Sequence, residues 1–291
     1  MVAFKFTKNK YGVGLLMDIG TYADIPAYFF EETLHETDFY EIVFFKQGNG
    51  YILLDQQRIP VENDMIVFIS PFQKRQWFVD KATIDCYFLL FQADFLSSFF
   101  VDKLFTYRLQ YFYNKATPLY LKPDANSFFR VQSVLEDLLT EIKNIRKDSE
   151  HVIRALLYFL LVKLNREYEH RFYLSPDKKQ HVNALKFKEL LIREVKNRSG
   201  IGYYAGKLGV SRVTLNKSVK AHFGIPVSEM INEFLMFEIK SQLLYTDRTI
   251  KEIAYDLHFS APNHMTRLFK TLTGLSPKDF RLTYQNGRNI H

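Results

Sequence analysis

One cysteine in 291 residues leaves neither a disulfide framework nor a cysteine-rich zinc site open to this chain. Cys86 lies in an apolar run, DCYFLLF, and reads as a small core residue. Long apolar runs are missing as well. None reaches the ~18 residues that a membrane span needs, and the start MVAFKFTKNK lacks the uninterrupted apolar stretch of a signal peptide. The expectation is a soluble, cytoplasmic protein without a membrane partner. An excess of positive charge is absent from most of the chain: the first 180 residues hold 22 Lys and Arg against 23 Asp and Glu, whereas residues 181–291 hold 17 against 9. The formal charge of +7 therefore comes from the last third. Such asymmetry suits a polyanion-binding module joined to a neutral one, although a well-solvated basic surface gives the same count.

What is present divides the chain into segments. A prior of roughly 150 residues per domain suggests two domains, and 47% hydrophobic residues let each bury a core. Residues 1–124 are rich in aromatic and β-branched residues. Strand-length runs (FYEIVFF, YILL, MIVFI, CYFLLF) alternate there with turn signals such as Gln47-Gly48-Asn49-Gly50, Glu62-Asn63-Asp64 and Ser70-Pro71. They predict an antiparallel sheet domain, a small barrel or sandwich. Residues 125–173 turn helical, with Phe128, Val131, Leu135, Leu138 and Ile142 as one stripe and Val152, Leu156, Phe159, Leu160 and Leu164 as another. Two such helices must bury their stripes on the sheet, on a second subunit, or on both. Residues 174–181, with Ser175-Pro176-Asp177 and two lysines but no periodicity, read as a linker. Residues 182–291 are helical throughout.

The helical third repeats. Ala205, Leu208 and Ser211 match Ala254, Leu257 and Ser260 at a spacing of 49, and Leu215, Val219, Lys220 and Gly224 match Met265, Phe269, Lys270 and Gly274 at 50. One residue is thus inserted in the second copy. Each copy has the parts of a helix-turn-helix: a small residue where the helices approach, a turn at Gly209 or His258, and a serine able to cap the second helix. The outward face of that helix carries Val213, Thr214, Lys217 and Lys220 in the first copy, with Arg212 and Asn216 at its flanks. In the second it carries Asn263, His264, Thr266, Arg267 and Lys270. These residue types hydrogen-bond base edges and phosphates. A solvated helical hairpin explains one copy, but two in the basic third fit it poorly. The helix predicted between them, from Ser228 to about Tyr245, spans ~27 Å, near the ~34 Å of one DNA turn. One chain could then fill two successive major grooves.

The stretch TIKEIAYDLHFSAPNHMTRLFKTLTGLSPKDFR, with its trailing Gly274, Ser276, Pro277, Phe280 and Arg281, resembles the second helix-turn-helix of the AraC/XylS family of bacterial transcription regulators. LGVSRVTLNKSVK with Gly224 and Pro226 resembles the first. His258 stands where the family usually has glycine, and His264-Met265 where it has Tyr-Phe. The resemblance implies promoter DNA as partner and a homodimer, with RNA polymerase as a further contact. The N-terminal strands resemble the cupin barrel that often precedes this module, through HETDFYEI, Gly48, Gly50 and Pro71. Its metal pattern is degraded, since Thr37 replaces a histidine and Arg75 or Gln76 another. Neither metal nor cofactor is expected. His35, Glu41, Arg75, Trp77 and Tyr87 either line a pocket for a polar effector such as a sugar or form a structural network.

These readings together predict a multidomain α+β protein. An all-β cupin-like barrel (1–124) would be followed by a helical dimerisation segment (125–173), a linker (174–181) and an all-α domain with two helix-turn-helix motifs (182–291). The expected function is a sequence-specific DNA-binding regulator, an activator, with no catalytic residues. The rival readings are a metal-dependent cupin enzyme with an appended DNA-binding domain, alkyl transfer through a reactive cysteine, and a scaffold making only protein contacts.

Overall fold

The computed structural model describes residues 2–5, 16–25, 27–30, 32–55, 57–92, 95, 105–113, 117–172, 178–197, 199–285 and 288–289. The chain divides into two compact units, Met1–Leu174 with Gly287–His291, and Ser175–Asn286.

The first unit is built from two sheets. Its strands are β1 (Val2–Lys5), β2 (Met17–Thr21), β3 (His35–Thr37), β4 (Tyr40–Gln47), β5 (Gly50–Leu54), β6 (Gln57–Val61), β7 (Met65–Ile69), β8 (Arg75–Val79), β9 (Asp85–Phe91), β10 (Tyr120–Leu121) and β11 (Arg288–Asn289). One sheet runs β11-β1-β3-β8-β5-β6, the other β10-β7-β4-β9-β2. The second is antiparallel throughout its described pairs. In the first, β1 pairs parallel to both β3 and β11, a departure from the all-antiparallel expectation.

The five-stranded sheet is covered on both faces, which explains why its strands are apolar without alternation. Val43, Phe45, Val67, Ile69, Cys86, Phe88 and Leu90 meet Ile52, Leu54, Ile59, Val61 and Trp77 of the other sheet. The opposite face, with Tyr40, Ile42, Phe44, Phe68, Tyr87, Leu89 and Phe91, is covered by helices. Short helices α1 (Phe105–Arg108) and α2 (Gln110–Tyr113) contribute to that layer, but most of it is α3 (Ala125–Lys143) and α4 (Ser149–Arg171). Asp124 caps α3 by accepting from Ser127 N at 2.9 Å. The predicted stripe of α3, from Phe128 to Ile142, is the buried one. In α4 the buried residues are Ile153, Leu157, Leu160, Leu161, Leu164 and Tyr168, so the predicted stripe is half wrong. Val152 and Phe159 point outward and Leu156 is half-buried, because α4 is apolar on more than one face and periodicity alone does not choose between them.

The second unit is helical: α5 (Lys178–Glu194), a 3-10 turn at Val195–Asn197, α6 (Ile201–Lys207), α7 (Arg212–Phe223), α8 (Val227–Tyr245), α9 (Ile250–Asp256), α10 (Pro262–Thr273) and α11 (Pro277–Gln285). Helix α5 begins inside the stretch expected to be linker. Lys178, Lys179 and Gln180 are straight-chain residues that lose little rotamer freedom in a helix, so they extend it. Residues 173–177 lie outside the described ones. Helix α8, 19 residues and so about 28 Å long, packs against α5, α7, α9 and α11.

Candidate nucleic-acid interface

Both helix-turn-helix copies are assembled by the same backbone hydrogen bonds. Val210 N donates to Ala205 O at 3.0 Å, and Phe259 N to Ala254 O at 2.9 Å. Leu208 N donates to Tyr204 O at 3.1 Å, and Leu257 N to Ile253 O at 3.0 Å. These bonds fold the chain sharply after α6 and α9, and Ala205 and Ala254, both buried, leave room for the second helix. The turn requires a left-handed residue. Gly209 takes φ +65° and His258 takes φ +54° at the matching place. For a residue with a Cβ that conformation costs roughly 1–2 kcal/mol. His258 holds it while its Nδ1–H donates to Lys196 O at 3.2 Å, a bond that also fixes its tautomer. Both second helices end on a left-handed glycine, Gly224 at +76° and Gly274 at +80°.

The two copies differ where the second helix starts. Ser211 Oγ accepts from Thr214 N at 3.0 Å and caps α7. Ser260, expected to do the same for α10, does not. The inserted residue makes Ala261 the cap position, Pro262 follows it, and Ser260 Oγ pairs instead with His264 Nδ1 at 2.8 Å. Proline at the first helical position needs no N–H partner, so α10 tolerates the missing cap.

Beneath the outward faces, Leu215, Val219 and Phe223 of α7 and Met265 and Phe269 of α10 are buried. Arg212, Val213, Thr214, Lys217 and Lys220 are exposed, as are Asn263, His264, Arg267 and Lys270, with Thr266 half-buried. Asn216 departs from the expected face: its amide oxygen accepts from Val227 N at 3.0 Å, binding α7 to the start of α8.

A helix-turn-helix domain family matches residues 204–283, a span that takes in both copies. The HTH-type transcriptional activator RhaR of Mannheimia succiniciproducens is 22% identical over 254 residues, covering 85% of this chain and 86% of that protein. The HTH-type transcriptional activator RhaS of Salmonella arizonae is 30% identical over 77 residues, 26% of this chain and 28% of its own length. Residues 204–283 thus form a domain of that helix-turn-helix family. A crystal structure of apo ToxT from Vibrio cholerae is similar in fold to this chain, with a TM-score of 0.50 at 14% identity, covering 92% of this chain and 97% of that one.

The helix-turn-helix domain is steadied by residues that sequence reasoning passed over. Gly202 lets the Arg212 side chain lie close; a Cβ there would come within 2.7 Å of its guanidinium. Lys196 bridges Glu238 at 3.1 Å and Asp256 at 3.6 Å. Lys188 of α5 is buried with its Nζ 5.0 Å from the centre of the Phe223 ring, and burial pulls its ammonium down to about 7. Gly202, an unfavourable residue within a helix, is the signal for the close approach of Arg212, whereas nothing in the local pattern flags Lys188.

In the first unit the predicted pocket residues come together only in part. Arg75 and Glu41 form a fully buried ion pair, and Arg75 Nη1 also donates to Thr37 Oγ1 at 3.2 Å. Burial pushes the Glu41 carboxyl up and the Arg75 guanidinium pulls it back. His35 faces Arg75 across β3 and β8. Burial and then that guanidinium hold its imidazole down at about 3, against a hydrogen bond to Thr33 O, so it stays neutral. Trp77 packs on Phe30 and Phe45 with ring centres 5.0 and 6.0 Å away. Tyr87 does not join them. It lies on the helix-covered face of the sheet and donates to Glu136 Oε1 at 3.2 Å. Among the described residues no three His, Cys, Asp or Glu side chains gather as a metal site needs. Cys86 is buried, and burial raises its thiol to about 12, leaving little thiolate for alkyl transfer.

Proposed function

We propose that this regulator activates transcription by binding an asymmetric duplex site with α7 and α10 in two successive major grooves. The observation that carries the reading is the repeated helix-turn-helix, identical in its turn hydrogen bonds, held at the two ends of the ~28 Å helix α8. The excess of Lys and Arg in this third of the chain supplies the phosphate-neutralising charge. Arg267 presents a guanidinium fork suited to guanine, and Lys217, Lys220 and Lys270 present point charges suited to phosphates. The test is fluorescence anisotropy against duplexes selected from a random pool. Lys270→Ala should weaken all duplexes and lower the salt slope by about 1, while Arg267→Ala should relax preference at one position. If both bind like the wild type, the docking face is wrong.

The first unit supports two further roles. The outward apolar residues Phe129 (67% exposed), Val152 and Phe159 (54%) of α3 and α4 suit a second copy of the chain. Sedimentation should then show a dimer that Phe129→Glu with Phe159→Glu dissociates. Glu41 Oε1 and Trp77 Nε1 lack hydrogen-bond partners among the described residues, which suits a small polar effector, a sugar among the candidates. A panel of monosaccharides that leaves the melting temperature unmoved would remove that role. RNA polymerase is the partner an activator requires.

A further inference from the structure

We infer that Val213 reads the 5-methyl group of a thymine, making the half-site under α7 one that is selected by an apolar contact. The inference rests on the docking of α7 in a major groove proposed above. Val213 is 79% exposed, the highest among the exposed large apolar side chains of the described residues. It sits in the first turn of α7, the part of a recognition helix that approaches base edges. A β-branched residue there favours neither the helix nor solvation in the free protein. It leaves an apolar side chain on the face that would meet the bases.

The polar neighbours of Val213 are engaged within the protein. The Arg212 guanidinium lies back over Gly202. Thr214 Oγ1 is 2.8 Å from Ser211 Oγ. The Asn216 amide oxygen, half of the pair an asparagine offers adenine, accepts from Val227 N. Lys217 and Lys220 remain exposed, and their compact point charges suit phosphates. Of the four bases, only thymine presents a methyl group in the major groove. The second copy is built differently, with Asn263 and Arg267 exposed and able to hydrogen-bond a purine edge. The two half-sites are therefore read by different chemistry.

The test uses the full chain and the duplex recovered from a random pool, resynthesised with each thymine replaced in turn by uracil, which removes only the methyl. The wild type should lose about fourfold in affinity at one or two thymines, the worth of one buried methyl. Val213→Ala should bind the thymine and uracil forms of those positions equally, with an unchanged far-ultraviolet spectrum and an unchanged salt slope. If Val213→Ala keeps the full thymine preference at every position, or if no uracil weakens the wild type, Val213 is not the reader. If the wild type binds no duplex in a salt-dependent way, the docking of α7 itself falls, and the inference with it.

Discussion

Ser260 Oγ lies 2.8 Å from His264 Nδ1, whereas its counterpart in the repeat, Ser211, caps a backbone N–H at 3.0 Å. One inserted residue has moved a serine from backbone duty to side-chain duty. Ser211→Ala should therefore cost about 1 kcal/mol, and Ser260→Ala distinctly less. Urea unfolding followed by circular dichroism measures both; equal losses would contradict the different roles.

His258 tests the turn itself. His258→Ala keeps the left-handed conformation and loses the bond to Lys196 O, so it should destabilise the second unit by about 1 kcal/mol. His258→Gly loses the same bond but relieves the conformation, and should be more stable than the alanine variant by about 1 kcal/mol. Melting temperatures in the opposite order would show that the strain is not there.

Lys188 gives a pH dependence. Its ammonium is depressed to about 7 in the folded state from 10.5, so between those values the unfolded chain binds a proton that the native one does not. Stability should rise with pH across that window, by at most about 1.4 kcal/mol per unit, and flatten below it. Lys188→Met should remove the slope and stabilise the protein at pH 7 by on the order of 2 kcal/mol. A wild-type profile as flat as the variant's would refute the burial argument.

The Glu41–Arg75 pair is reported by the only tryptophan, Trp77, two residues along β8. Arg75→Met should cost about 3–5 kcal/mol by leaving Glu41 buried alone, and adding Glu41→Leu should recover most of it. Trp77 fluorescence during urea unfolding follows the first unit specifically. A double variant no better than the single one would show that the pair is not what matters.

The residues announce some of this and conceal the rest. The repeat is visible because Ala205, Leu208, Leu215 and Gly224 have spaced counterparts, and the turn geometry follows from it. The fate of Ser260 is not visible, since a single insertion does not say whether the turn or the cap absorbs it. Glu41 and Arg75, grouped by the cupin resemblance, do pair, with Thr37, where the cupin pattern has a histidine, accepting from Arg75. Tyr87 goes to the wrong face because DCYFLLF is apolar at nearly every position. A strand buried on both sides has no alternation from which to assign its faces. Val152 and Phe159 mislead for the related reason that α4 has apolar residues to spare.

The most direct test of the central claim is a missing-nucleoside footprint of a single copy of this 291-residue chain on its selected duplex. Two patches of major-groove contact about one helical turn, or ~10 base pairs, apart are expected, with Arg267→Ala removing contacts in one patch only. A single patch, or two that Arg267→Ala leaves intact, would contradict the reading of α7 and α10 as paired recognition helices.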